Sequence, residues 1–127
     1  MDVSKMIKSL RAHPESRKIG MIATHLGIVR GHSRGGDTVS HVEVAFNHEK
    51  IGEIVSHAKK LNGIVEVLVD VREGRLKVGD EIMAVAVAGD IRENVFPALI
   101  QVVDRLKAEA GKKRELFKEG QREKDKG

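Results

Sequence analysis

The chain has 127 residues, enough for one domain with a single core, and its only aromatic residues are three phenylalanines. It contains no cysteine, which excludes disulfides, thiolate metal sites and cysteine nucleophiles and suits a reducing cytoplasm. The formal charge of +4 is concentrated after Leu106, and no apolar run approaches membrane-spanning length. A cytoplasmic protein without a membrane partner is therefore expected.

The first predicted elements are a helix and a long strand. Apolar residues at helical spacing predict a helix over 3–12, which Pro14 ends. A strand begins at Lys18, and Gly20 and Gly27 predict a bend or bulge within it.

A glycine-rich loop, Arg30–Gly36, follows this strand and reads R-G-H-S-R-G-G. Its three glycines let backbone N–H groups approach a ligand closely. Arg30 and Arg34 carry planar guanidinium groups that suit phosphate or carboxylate. The pattern fits an anion-binding loop and, equally well, a mobile solvated hairpin loop.

The rest of the chain alternates strands with helices. The predicted order is a strand over 39–46, a helix over 48–61, strands over 64–71 and 81–88, and a helix from Asn94 to near Gly111. The sequence thus predicts an α+β fold, with two layers and a mainly antiparallel sheet carrying helices on one face. We assign 1–111 to this domain and 112–127 to a basic, flexible C-terminal tail.

Several motifs occur in a specific order along residues 18–107. They are G-x-x-x-T-x-x-G-x-V-R-x-H from Gly20 to His32, R-x-G-x-L-x-V-G-D-E from Arg72 to Glu81, an arginine at Arg92, and F-x-A-x-x-x-x-x-D-x-L-K from Phe96 to Lys107. In this order and spacing the chain resembles the MoaE family, the large catalytic subunit of molybdopterin synthase.

The resemblance implies a fold of the α/β-hammerhead type and a homodimer. It also implies a small ubiquitin-like sulfur-carrier subunit as partner, whose C-terminal Gly-Gly tail bears a thiocarboxylate. The reaction would transfer two sulfurs from this tail to cyclic pyranopterin monophosphate, forming the dithiolene of molybdopterin. That step needs no metal and no resident cofactor.

Site residues are carried over by position. Arg30, His32 and Arg92 match family positions and, with Arg34, are predicted to bind the anionic substrate. Lys112, Lys113 and Lys118 are the candidate catalytic lysines, since an ammonium can stabilise an oxyanion or act as a nucleophile. The chain departs from the family in two places: Gly89–Arg92 lacks the histidine of the A-H-R motif, and the proline, aromatic pair and lysine after Lys107 are absent.

Two other functions remain open. The departures allow a non-catalytic dimer that binds a pterin, a nucleotide or an acidic peptide through Arg30 and Arg92. A nucleic-acid-binding module using the basic tail ranks last, because stacking aromatics and a continuous basic face are missing.

Overall fold

The computed structural model describes residues 1–117 and, as backbone only, residues 123–126. It has the predicted α+β architecture, with three helices and two antiparallel sheets. The helices are α1 (Val3–Arg11), α2 (His48–Ala58) and α3 (Arg92–Arg105), and the strands are β1 (Met21–Ile28), β2 (Val39–Phe46), β3 (Ile64–Val71), β4 (Gly74–Lys77), β5 (Glu81–Gly89), β6 (Gly111–Phe117) and β7 (Glu123–Lys126).

The first sheet has the order β1-β5-β3, so β5 lies between two antiparallel neighbours. Residues 83–89 of β5 are buried, which explains its run of apolar residues without alternation. β1 pairs with β5 from Met21 opposite Gly89 to Ile28 opposite Glu81, and the bulge lies between Gly27 and Ile28. Gly20 instead lies outside β1 and donates its N–H to the Gly89 carbonyl at 2.8 Å.

The helices cover both faces of this sheet. α2 and α3 pack on the face that carries Ala23, Val85 and Val87, as predicted for two helices on one face. α1 lies on the opposite face, where Leu10 packs on Ala86 and Ala88. Among the residues the structure describes, no helix is both long and apolar enough to span a membrane.

The second sheet has the order β4-β2-β6-β7. Residues 112–117, which the sequence analysis assigned to a flexible tail, instead form most of β6 and pair with β2. The physical reason is burial: Leu116 and Phe117 are almost fully covered, and Phe117 joins Val39 and Val42 in a second apolar cluster. The domain therefore extends beyond the predicted boundary at 111.

α3 begins at Arg92, earlier than Asn94, where the sequence predicted the start of this helix. Asp90 explains the start, because its Oδ1 accepts the Ile91 N–H at 2.6 Å and the Asn94 side-chain amide at 2.9 Å. The first bond satisfies the backbone N–H of Ile91, the N-cap residue, and the second ties the Asn94 side chain to Asp90. Arg92 is consequently the first residue of α3.

Candidate functional site

The base of the Arg30–Gly36 loop is held by backbone hydrogen bonds. The Val29 N–H donates to the Asp80 carbonyl at 2.9 Å, and the Gly79 N–H donates to the Val29 carbonyl at 2.9 Å. The Val39 N–H donates to the Gly31 carbonyl at 2.8 Å. Val29 is buried in the second apolar cluster, so it anchors the residue that precedes Arg30.

The tip of the loop is closed by Ser33. Its backbone N–H donates to the Asp37 carbonyl at 2.9 Å, and its hydroxyl accepts the Asp37 N–H at 3.2 Å. Gly36 has φ +90°, a left-handed conformation that favours glycine. The backbone is therefore ordered by its own bonds, while Arg30, His32 and Arg34 all expose their side chains. These bonds are not typical of a mobile loop, and anion binding by the three side chains stays a prediction.

Arg92 lies at the other end of the first sheet. It follows β5, whose last residue Gly89 pairs with Met21, the first residue of β1. Arg30 follows the last residue of β1, so the strand that separates the two arginines is about 25 Å long. Arg92 is 78% exposed, with Glu93 Oε2 4.0 Å from its Nε. Within the single chain, Arg30 and Arg92 thus lie at opposite ends of β1 and not in one site.

The candidate lysines lie on the second sheet. Lys112 is opposite Ala45 and Lys113 is opposite Val44, and both lysine side chains are exposed. The Arg30 loop joins β2 at Val39, about 17 Å along the strand from Val44. Lys118 lies outside the described residues.

Two open grooves, with cavity volumes of about 670 and 580 Å³, contain none of the predicted site residues. One lies beside α3 and the turn at Leu61–Asn62, and the other lies between α2 and β3. Within the described part of the chain, no three His, Asp or Glu side chains are grouped to hold a metal ion.

Two histidines outside the predicted site have unusual surroundings. Burial, helped by the nearby Lys107 ammonium, lowers the pKa of His25 on β1. His41 on β2 is buried, with Ser40 Oγ 2.7 Å from its Nδ1, and its Nε2 has no hydrogen-bond partner within the described residues. Sequence spacing did not distinguish either one, because their burial comes from elements distant along the chain.

Apolar side chains are exposed on β1 and on α3. Leu26 and Ile28 of β1 are 37% and 50% exposed, and Phe96 and Ile100 of α3 are 49% and 61% exposed. Leu26 shares a face of β1 with Ile22, which packs against Leu10 of α1, so Leu26 lies on the face of the sheet opposite α3. The exposed apolar residues of β1 and of α3 are therefore not treated as one surface.

Comparisons with known proteins agree on one family. The family model described as MoaE protein matches residues 1–109. The molybdopterin biosynthesis MoaE protein from Burkholderia ambifaria is 30% identical, with a TM-score of 0.75 over 98% of this chain and 83% of that one. No curated protein matches the sequence.

Two further solved structures share the fold at lower identity. Molybdopterin synthase from Staphylococcus aureus is 20% identical, with a TM-score of 0.72 over 91% of this chain and 90% of that one. A complex of subunits 1 and 2 of molybdopterin-converting factor from Helicobacter pylori is 15% identical, with a TM-score of 0.70 over 97% of this chain and 82% of that one.

Proposed function

This chain belongs to the MoaE family and has a role in molybdopterin biosynthesis, and from that premise we propose that it is the large subunit of a molybdopterin synthase. It transfers sulfur from a thiocarboxylated small carrier subunit to cyclic pyranopterin monophosphate. The partner is inferred from the Helicobacter pylori relative, which is described as a complex of two subunits. The observation that carries the proposal is the Arg30–Gly36 loop, an ordered backbone with three exposed cationic or imidazole side chains.

The substrate phosphate is the natural ligand of this loop. The Arg30 guanidinium can bind two phosphate oxygens at once, and His32 and Arg34 lie on the same loop within a few residues. Gly31 and Gly35 have no Cβ that would hinder the approach of further oxygens to their N–H groups, whereas the Gly36 N–H donates to the Ser33 carbonyl at 3.0 Å. These groups hold the pterin while the carrier tail approaches.

Lys112 and Lys113 are the catalytic candidates within the described residues. The thiocarboxylate sulfur attacks a side-chain carbon of the pterin, and a C–S bond forms as the bond from that carbon to its oxygen breaks. Water then attacks the acyl carbon of the resulting thioester, which leaves a thiolate on the pterin and a carboxylate on the carrier; negative charge develops on the acyl oxygen, and an adjacent ammonium stabilises that charge. Alternatively, an unprotonated lysine attacks the same acyl carbon, takes the acyl group as an amide and releases the pterin thiolate as the leaving group. Lys118 retains the same proposed role on sequence grounds.

A homodimer resolves the separation of Arg30 from Arg92. β1 is an outer strand of its sheet, and a two-fold axis beside it would run two β1 strands antiparallel. The Arg30 end of one protomer then lies beside the Arg92 end of the other. The same contact would cover the exposed apolar side chains that β1 itself carries, Leu26 and Ile28. We therefore propose that each substrate site takes Arg30 from one protomer and Arg92 from its partner.

Reconstitution tests the activity. The purified chain is mixed with a thiocarboxylated carrier and cyclic pyranopterin monophosphate, and dithiolene product is measured. We expect conversion, and we expect Lys113→Ala or Lys112→Ala to reduce it while leaving substrate binding intact. Absence of conversion with a carrier that functions with another large subunit would reject the proposal.

The non-catalytic alternative has one specific observation in its favour. Counting back from Arg92, Ile91 stands at the family histidine position, and its side chain is 52% exposed. An aliphatic residue cannot donate a hydrogen bond or a proton there. Calorimetry with the pyranopterin separates the two functions, since binding without turnover would identify a binding protein.

A further inference from the structure

β3 forms the other outer strand of the first sheet. It is eight residues long, reads I-V-E-V-L-V-D-V, and within the described residues pairs only with β5. Its sequence has no proline and no lysine, two residues with which proteins often block an edge strand, and its two charged residues are Glu66 and Asp70. Its single irregularity lies near Ile64, at its start. Most of β3 therefore presents a regular backbone edge with no neighbouring strand among the described residues, and at Val67 the N–H donates to the Glu66 carboxylate at 2.9 Å.

A groove of about 580 Å³ runs along this edge, between β3 and α2. Val67 and Val69 line it from the strand, and Ile51 and Val55 line it from the helix. The flank of α2 that faces the groove is opposite the flank carrying Lys50, which interacts with Glu109 and Arg105 near α3. α2 thus extends outward over the edge of β3, above the position where a further strand would lie.

Gly52 gives the groove its width. It lies in the middle of α2, and a Cβ at this position would meet nothing within 4 Å. A glycine inside a helix costs about 1 kcal/mol relative to alanine, and no contact within the described chain requires it. Ser56, one turn later, also lines the groove. The small side chains leave room for the side chains of an added strand.

The charge of the groove selects among possible occupants. Lys59 and Lys60 lie at one end, and no carboxylate lines the groove. Glu66 Oε1 contacts the Lys59 ammonium at 3.1 Å and neutralises one of these charges, so one positive charge remains in excess. A second copy of the chain fits less well, because two α2 helices extending over the joined edge would compete for the same space.

We propose that β3 and the groove beside α2 bind an extended segment of a partner protein by strand addition, with alternating apolar residues and acidic residues at its C-terminal end. An antiparallel segment places this end beside Lys59 and Lys60, because the turn that follows these residues leads into the start of β3. The edge of β3 supplies backbone hydrogen bonds, and the groove receives alternate side chains. This surface is separate from the Arg30 loop and does not depend on the sulfur-transfer proposal.

A synthetic peptide tests the proposal on the full chain. The probe has about eight residues, alternates valine with threonine, ends in two glutamates and carries an N-terminal fluorophore. We expect saturable binding by fluorescence anisotropy. Amide protons of β3 should exchange more slowly when the peptide is present. A matched peptide ending in two lysines should bind more weakly, by about threefold or more.

Two variants of α2 give the decisive comparison. Gly52→Leu fills the groove without straining the helix and should weaken peptide binding about tenfold or more. His57→Leu adds the same side chain on α2 outside the groove and should leave binding unchanged. Both variants should retain the helix content of the parent protein.

Three outcomes with the peptide would overturn the proposal. The first is no binding at millimolar peptide, and the second is equal binding by the parent and Gly52→Leu proteins. The third is slower amide proton exchange only at residues outside β3. Protection of the β3 amides without peptide, increasing with protein concentration, would assign the edge to a second copy and would also overturn it.

Discussion

Glycines cluster at both ends of β1, and their surroundings differ. At the first end, a Cβ on Gly20 would lie 2.0 Å from the Asp90 carbonyl oxygen, and a Cβ on Gly89 would lie 2.6 Å from the Gly63 carbonyl oxygen. At the second end, the glycines of the Arg30–Gly36 loop have no neighbour closer than 3.7 Å to the added carbon. The first end uses glycine for close backbone packing, and the second uses it to keep space open.

The contrast explains why the first end of β1 supports the fold, whereas the second end is available for ligand binding. The packed end fixes the start of α3 and hence the position of Arg92. The open end is ordered by hydrogen bonds within its own loop, and it leaves side chains exposed. Under the proposed dimer, the two ends meet at one substrate site.

The largest expected effect is on the free energy of unfolding, and it distinguishes closely packed glycines from glycines that border open space. Gly20→Ala should lower the free energy of unfolding by about 3 kcal/mol, because the clash is with backbone and cannot be relieved by a side-chain rotation. Gly35→Ala, also without a positive φ, should change it by less than about 0.5 kcal/mol. Urea unfolding measures both. Equal effects would show that the first end is not tightly packed.

The next effect tests whether the two ends share a site. Arg30→Ala and Arg92→Ala should each reduce turnover about 100-fold, through loss of a charge-assisted contact to phosphate. Mixing the two variants after exchange of protomers should restore about a quarter of the parent activity, because half of the dimers then contain one intact site. No recovery, with protomer exchange demonstrated, would contradict a shared site.

A smaller effect concerns the outer edge of β1, where the proposed dimer would bring the two ends of the strand together. Leu26→Asp introduces a charge among the exposed apolar side chains of β1 and should weaken self-association about tenfold or more. Gln101→Asp, on α3 beside the groove at Leu61–Asn62, should leave it unchanged. Sedimentation velocity over a range of concentrations measures both variants. Dimers that tolerate Leu26→Asp would move the interface away from this edge.

The smallest effect is a pH dependence at the packed end. The Asn94 side-chain amide and then the Ile91 N–H lower the pKa of Asp90. A lowered carboxyl pKa stabilises the fold above the unfolded value of about 3.9, and that contribution is lost as pH falls through the folded value. Asp90→Asn should therefore lower the Tm at pH 7, and the difference should shrink as pH falls below about 4 and vanish only below the lowered folded pKa. A difference that persists in acid would exclude the carboxylate charge as its cause.

Local patterns in the sequence determined most of the elements and the family. The apolar run at 81–88 was sufficient to predict strand β5. The sequence also predicted helix 48–61, and Asn47, a residue type that caps helices, accepts the Lys50 N–H at 3.0 Å at the start of α2. Motif order identified the MoaE resemblance and placed Arg30 and His32 in one loop. These features depend on neighbours within a few residues, which a sequence displays directly.

Tertiary structure alone decided the rest. β6 contains several charged residues and read as a solvated tail, but pairing with β2 buries its last apolar residues and makes it a strand. Likewise, the antiparallel pairing of β1 with β5 separates Arg30 from Arg92, although both had been assigned to one anion site. Strand pairing and register join residues far apart in the chain, so no local pattern encodes which ends meet.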